Sequence, residues 1–330
     1  MEAKMRGYHG VMVCGIILIC IVASTISPLS HAERKNDEVI YRGVRLNMAT
    51  NYFLMIGQPI IFLMWMDFVS MGYLQSINAN TISILLSYVV DDNGEISPFP
   101  FSQSLAEYHI KRFHETGLMV SLTPIFIGRS FIFGPLPEKI LQKENFWENL
   151  RIRTLEAAEF AEENDVEIFF SSNELELVIG WERALNFSRD ILPDVRERFS
   201  GKVGWHGWLR GLVDMGAFNA NGTVMLSVPI TRFNFTGYDM YGMTTDVGAD
   251  IKNSMESFAR GFIAIGMKIS MQSNTSFLLP EIFGMTKNAE SLTHFYFEEG
   301  EGKVVGYFPT YTIWQKSFFD DYVKDFYTGI

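Results

Sequence analysis

Glu174 and Glu281 each stand at the end of a long apolar run, the first after VEIFFSSN and the second after SFLLP. A carboxylate placed there is costly to bury unless it has a partner or a task. Two carboxyls facing one another across a cleft suit chemistry at an acetal. One protonates the leaving oxygen and the other attacks the anomeric carbon, at a separation of about 5–5.5 Å when configuration is retained. Each glutamate also has a plainer reading. Glu174 fits a helix-start carboxylate, although Glu176 is the better candidate for that role. Glu281 fits a salt-bridged residue at a strand end. Taken together, at the two positions the chemistry needs, the pair favours catalysis.

Such a pair needs a frame that brings distant residues to one mouth. Eight short β-rich segments recur along the chain, at 39–46, 80–88, 118–126, 166–172, 202–207, 237–242, 276–282 and 303–308. They are continuously apolar rather than alternating, which suits parallel strands buried on both faces. Helical stretches fill the gaps: 60–77, 104–116, 145–164, 181–199 and 249–266. Residues 60–77 are apolar enough to suggest a membrane span, but Asp67 interrupts the run and Gln58-Pro59 precedes it, so a buried barrel helix fits better. Helix 104–116 opens on Ser104-x-x-Glu107, a capping box, and stops at Gly117. Helix 145–164 carries Leu150, Ile152, Leu155, Ala158 and Phe160 on one broad face.

The alternation predicts an α/β fold, a (β/α)8 TIM barrel forming one domain over residues 33–330. An open doubly wound sheet is the runner-up. The first strand leads into GVRLNMATNYF without a GxGxxG turn, and no Walker motif occurs. In a barrel, active-site residues lie at the C-terminal ends of strands. That puts Glu174 after the fourth strand and Glu281 on the seventh, on opposite sides of the ring.

Position nominates the supporting residues. Tyr241 ends the sixth strand, within reach of Glu281, with a core tyrosine as the alternative. Trp205 and His206 end the fifth, where Trp205 offers a flat platform for a sugar ring and His206 a donor behind it. Tyr88 and Asp91 follow the second strand, Arg129 follows the third, and Trp314 lies past the eighth; each is a candidate rim contact or a packing residue. No metal or organic cofactor is expected. His109 and His114 are five apart on one helix, not at the i,i+4 spacing of a zinc pair, and neither HExxH nor GxSxG occurs.

In order, INANTISILLSY, HETGLMVSLTPIF, FFSSNELEL, YDMYG and FLLPEIFG resemble the successive strand motifs of the barrel glycoside hydrolases of clan A, which carry their catalytic glutamates on strands four and seven. The spacing most resembles family 113, whose members include β-1,4-mannanases, with families 5 and 26 more distant. The resemblance spans roughly residues 40–310. It implies a retaining glycosidase with Glu174 as acid/base, Glu281 as nucleophile, and Asn173 near the sugar 2-hydroxyl. The very apolar 60–77 segment and the charged HFYFEEGEGK stretch after Glu281 depart from the pattern and leave mannan specificity open. A non-catalytic carbohydrate-binding barrel, or a barrel hydrolase of other chemistry, are the alternatives.

Bulk properties agree with a carbohydrate substrate and argue against nucleic acid. The 330-residue chain has a net charge of −11, whereas nucleic-acid binders are basic. Aromatics make up 14% and serve mainly as core. The N-terminus reads as an export signal, with Lys4 and Arg6 before the apolar stretch 11–23 and Ser30-His31-Ala32 as the cleavage site. Cleavage there makes residues 1–32 a signal peptide of a secreted protein. Left uncut, residues 11–27 would anchor the protein to a membrane. Cys14 and Cys20, the only two cysteines, lie inside this segment, so the mature chain has no disulfide. Ile19 is too bulky to precede a lipidated cysteine. Sequons at Asn186, Asn221, Asn234 and Asn274 are potential glycan sites in an exported protein.

Overall fold

Runs such as TISILLSYVV and MVSLTPIFIG carry apolar or small side chains at nearly every position, so both faces tolerate burial, and both are buried. The computed structural model describes residues 41–46, 79–128, 135–208, 231–241, 266, 269–271, 273–283 and 304–311. The export segment, helix 60–77, most of helix 249–266, Arg129, Asn221 and Trp314 lie outside the described residues.

Among the described residues nine strands form one sheet: β1 Tyr41–Leu46, β2 Thr81–Val90, β3 Ile96–Pro98, β4 Met119–Gly128, β5 Ile168–Phe170, β6 Lys202–Trp208, β7 Phe235–Tyr241, β8 Ser276–Phe283 and β9 Val304–Tyr311. Eight of them are staves of a closed parallel ring, in the order β1–β2–β4–β5–β6–β7–β8–β9 and back to β1. The expected (β/α)8 barrel is therefore the observed one, with every stave within a few residues of its expected place. The strand that sequence reasoning missed is β3. It turns back antiparallel on β2, pairing Pro98 with Tyr88 and Ile96 with Val90. Asp91 makes that hairpin: its Oδ1 accepts the backbone N–H groups of Asn93 (2.7 Å) and Glu95 (2.9 Å). The carboxylate nominated for the rim thus closes a turn.

The staves alternate between two environments. Ile82, Ile84 and Leu86 of β2, Val120 and Leu122 of β4, and Val203 of β6 face outward into the main core with Ile110, Phe113, Ala157, Ala161, Ile191 and Val195 of the helices. Tyr41, Met119, Ile168, Phe170, Phe235 and Leu278 face inward and fill the lower lumen. Phe170 needs a glycine beside it: a Cβ on Gly204 would sit 2.3 Å from its Cε1. At the floor, Lys202 Nζ donates to Tyr41 Oη at 2.5 Å.

The described helices are α1 Ser102–Glu115, α2 Glu138–Leu141, α3 Glu144–Glu163, α4 Leu175–Ile179 and α5 Trp181–Arg198. The capping box at Ser104 and Glu107 does not form, because α1 begins two residues earlier with Phe101 as its N-cap. The hydroxyl that matters there is Ser102 Oγ, which accepts the Ser87 N–H at 2.9 Å and ties the helix start to β2. The stop at Gly117 is as expected. At φ +78 it closes a Schellman turn, with Leu118 N–H on Phe113 O (3.1 Å) and Gly117 N–H on His114 O (2.9 Å). On α3 the buried face is Phe146, Leu150, Thr154, Ala157, Ala158 and Ala161. Ile152, expected on that face, is 41% exposed, one turn-step off the stripe.

Of the sequons, Asn234 and Asn274 are exposed just ahead of β7 and β8, and Asn186 is half-buried on α5.

Candidate active site

Regular pairing of β5 is short, covering Ile168–Phe170 against Ser121 and Leu122 on one side and β6 on the other. The chain then climbs through Ser171, Ser172 and Asn173, all at least 97% buried, with the Asn173 N–H still bonded to Pro124 O at 3.0 Å. Glu174 follows in the left-handed region, φ 41 and ψ 45, as the N-cap of α4. An L residue with a Cβ held there costs on the order of 1–2 kcal/mol. Burial of Leu175, Val178 and Ile179 just behind holds the conformation in place. Glu174 itself is only 4% exposed. It makes no side-chain cap bond to the helix, and the acidic residue of the first turn is Glu176. The helix-start reading of the sequence thus falls to Glu176, which is buried near Tyr238. Burial, and then the Glu176 charge, push the Tyr238 hydroxyl well above its ordinary pKa.

Glu281 lies in β8, three staves further round the ring from β5 rather than directly opposite it. Its side chain is outside the described residues, but the backbone register around it is informative. From Leu278 to Ile282, β8 advances four residues while β7 advances three, Gly237 to Met240. From Leu279 to Ile282 it advances three while β9 advances two, Tyr307 to Pro309. Both neighbours place one extra residue at Pro280–Glu281. Proline has no N–H for a ladder, so an interior stave accommodates it in a bulge, and bulges beside active sites re-aim side chains.

His206 and Asp239 were brought together by pleat alternation. His206 Nε2 and Asp239 Oδ1 pair directly between β6 and β7, and both side chains are 0% exposed. The imidazole also meets Phe170 edge to face, with centroids 5.6 Å apart, which places it in the lumen. Sequence reasoning singled out His206 and missed Asp239. The available signal was an acidic residue, in YDMYG, inside an otherwise apolar stave.

Two nominated residues face the wrong way for a cleft. Trp205 is 2% exposed on the outer side of β6, between Trp181 of α5 (5.9 Å) and Tyr238 (5.5 Å). It alternates with His206, so only one of the two can reach the lumen. Tyr88 is fully buried on the outer side of β2, stacked on Phe126 at 5.4 Å and 22°. Burial, reinforced by Glu156 and opposed by Arg153, raises its pKa. Both are core residues. Trp205→Ala is expected to lower stability by about 3–5 kcal/mol in denaturant unfolding, and Trp205→Phe to leave KM unchanged. A large KM increase at unaltered stability would put the ring on substrate instead. Tyr241 ends β7 opposite Phe283, with its side chain outside the described residues. His109 is buried against Phe113 on α1, and His114 lies 3.3 Å from Glu167. Among the described residues no three His, Cys, Asp or Glu side chains are placed to hold a metal ion.

Known protein-family profiles and characterised protein sequences show no match to the chain. Solved structures do. A family 113 β-mannanase from Alicyclobacillus acidocaldarius, in complex with ManMIm, superposes with a TM-score of 0.59 at 12% identity, over 88% of this chain and 98% of that one. A glycoside hydrolase family 5 enzyme from Prevotella bryantii B14 gives 0.59 at 11% identity, over 92% and 99%. Endo-glycoceramidase II from Rhodococcus sp., as a cellobiose-like isofagomine complex, gives 0.60 at 11% identity, over 85% and 76%. At such identities the likeness is one of fold, and it agrees with the ring of staves: the chain has the (β/α)8-barrel architecture shared by these glycoside hydrolases.

Proposed function

We propose that this protein is a retaining glycoside hydrolase acting on a β-linked polysaccharide or oligosaccharide. The observation that carries the reading is the placement of a buried, backbone-strained Glu174 at the exit of the fourth stave, together with Glu281 at a bulge of the seventh. The fold likeness to a mannanase, a family 5 enzyme and an endo-glycoceramidase supports the same class. In this reading Glu281 attacks the anomeric carbon and forms a glycosyl ester while Glu174 delivers its proton to the departing oxygen. Glu174 then takes a proton from water, which opens the ester from the same face that the leaving group vacated. Two inversions return the original configuration. Asn173, next to Glu174, is the candidate contact for the sugar 2-hydroxyl region. A β-1,4-mannan is the first substrate to try. Export through residues 1–32 would place the reaction outside the cytoplasm.

The test is hydrolysis of a panel of β-mannans, β-glucans and glycosylceramides by residues 33–330, with the anomer of the first product followed by NMR. Release of a β-anomer before mutarotation is expected. An α-anomer, or no turnover of any glycan, would overturn the reading.

A further inference from the structure

His206 Nε2 meets Asp239 Oδ1 with no solvent exposure on either side chain, an ion pair when the imidazole is protonated. Burying two charges in a barrel is expensive, so a pair kept there for packing alone is a poor solution compared with apolar residues of similar size. Its position suggests what it serves. On β8, the residues paired with Gly237 and Met240 are Leu278 and Ile282, so Asp239 lies alongside the bulged Pro280–Glu281. The bulge also decides which face position 281 occupies. Leu278 is in the lumen layer, and unbroken alternation would count position 281 to the outer face. Ile282, however, pairs with Met240, the outer-face neighbour of Asp239. Counting back from Ile282, position 281 shares the lumen face with Asp239.

Two carboxylates on one face of adjoining staves disfavour each other's ionisation. A glycosidase nucleophile must be ionised. We infer that His206 is an imidazolium whose charge cancels that of Asp239, and that this neutral pair is a positioning element that lets Glu281 stay ionised. The inference rests on the glycosidase reading for its purpose, though not for its measurement.

Other charged or titratable groups surround the pair. Glu174 lies four residues beyond Phe170 on β5. By register Tyr241 follows on β7, and Arg45 of β1 is level with Thr310 of β9 and Ser83 of β2. Lys202 is at the floor on Tyr41. The lumen positions of β4 next to β5 are hydroxyls, Ser121 and Thr123. Arg45 is an alternative source of positive charge on the described staves, so the test must separate it from His206.

The experiment is NMR titration of residues 33–330 labelled at histidine 13Cε1 and glutamate 13Cδ, with His206 and Glu281 identified by difference from H206Q and E281Q. In the unsubstituted chain His206 should show the imidazolium shift throughout pH 5–8, and in D239N it should titrate within that window. In H206Q the Glu281 midpoint should rise by about one pH unit or more, and in H206Q/D239N it should return. The acid limb of kcat/KM should move in step, roughly a tenfold loss on its acid side in H206Q. A neutral His206 at pH 6 in the unsubstituted chain, or a Glu281 midpoint unmoved in H206Q (the result expected if Arg45 supplies the charge), overturns the inference. Absence of any glycosidase activity would sink the function while leaving both titrations readable.

Discussion

Glu281→Gly should abolish turnover by a factor on the order of 10⁶, the scale seen when a covalent nucleophile is removed, and sodium azide should restore part of it. The reason lies in the geometry required of two displacements. Without the carboxylate no glycosyl ester forms, and Asp239, the acid alongside on β7, is engaged by His206. Azide is small enough to occupy the space the side chain vacates. It attacks from the same face as the carboxylate did, so a β-linked substrate with a good leaving group yields an α-glycosyl azide. The azide product is read by NMR. A β-azide from this variant would exchange the roles of the two glutamates.

Glu174→Gly should behave differently. Loss of a general acid typically lowers rate by about 10²–10⁴-fold, and the loss should depend on the leaving group. Natural glycosides need the proton and should suffer fully. A 2,4-dinitrophenyl glycoside departs without it, so the ester should form normally and then accumulate, because no base activates water. Azide should open that ester to a β-glycosyl azide. Stability offers a second reading. Glu174 holds φ 41, a conformation glycine adopts without the Cβ penalty, at an entropic cost of similar size. The variant should therefore melt within about 1 kcal/mol of the unsubstituted chain. Equal losses on activated and natural substrates, with normal folding, would show that Glu174 is not the acid.

Much of this was legible from residue order alone. Continuous apolar runs of about eight residues announced the staves, because a parallel stave is buried on both faces and is shorter than a buried helix. Gly117 announced the end of α1 because left-handed closure favours glycine. Positions along a stave were harder to read. Trp205 and His206 are neighbours, and choosing which faces the lumen requires the register of β6 against β5 and β7, which composition does not encode. The same holds for Tyr88, whose ring turned out to pack between β2 and the helices. Asp239 went unnoticed because its meaning comes from a partner 33 residues away. The bulge in β8 had a local sign, Pro280 inside an interior stave, but its consequence for position 281 emerges only from pairing on both sides. The short hairpin at β3 was hidden by Asp91, whose carboxylate works as a turn closure and looks in the sequence like one more exposed acid.

Covalent trapping tests the central claim most directly. Residues 33–330 would be incubated with 2,4-dinitrophenyl 2-deoxy-2-fluoro-β-glycosides of the manno and gluco series, which form the glycosyl ester quickly and hydrolyse it slowly. Intact mass followed by peptide mapping should find one fluoroglycosyl group, on Glu281, with none in E281Q and faster release when an acceptor sugar is added. An adduct on any other residue, or stoichiometric fluoride-sugar turnover with an inverted product and no adduct, would contradict the assignment of Glu281 as nucleophile and with it the retaining mechanism.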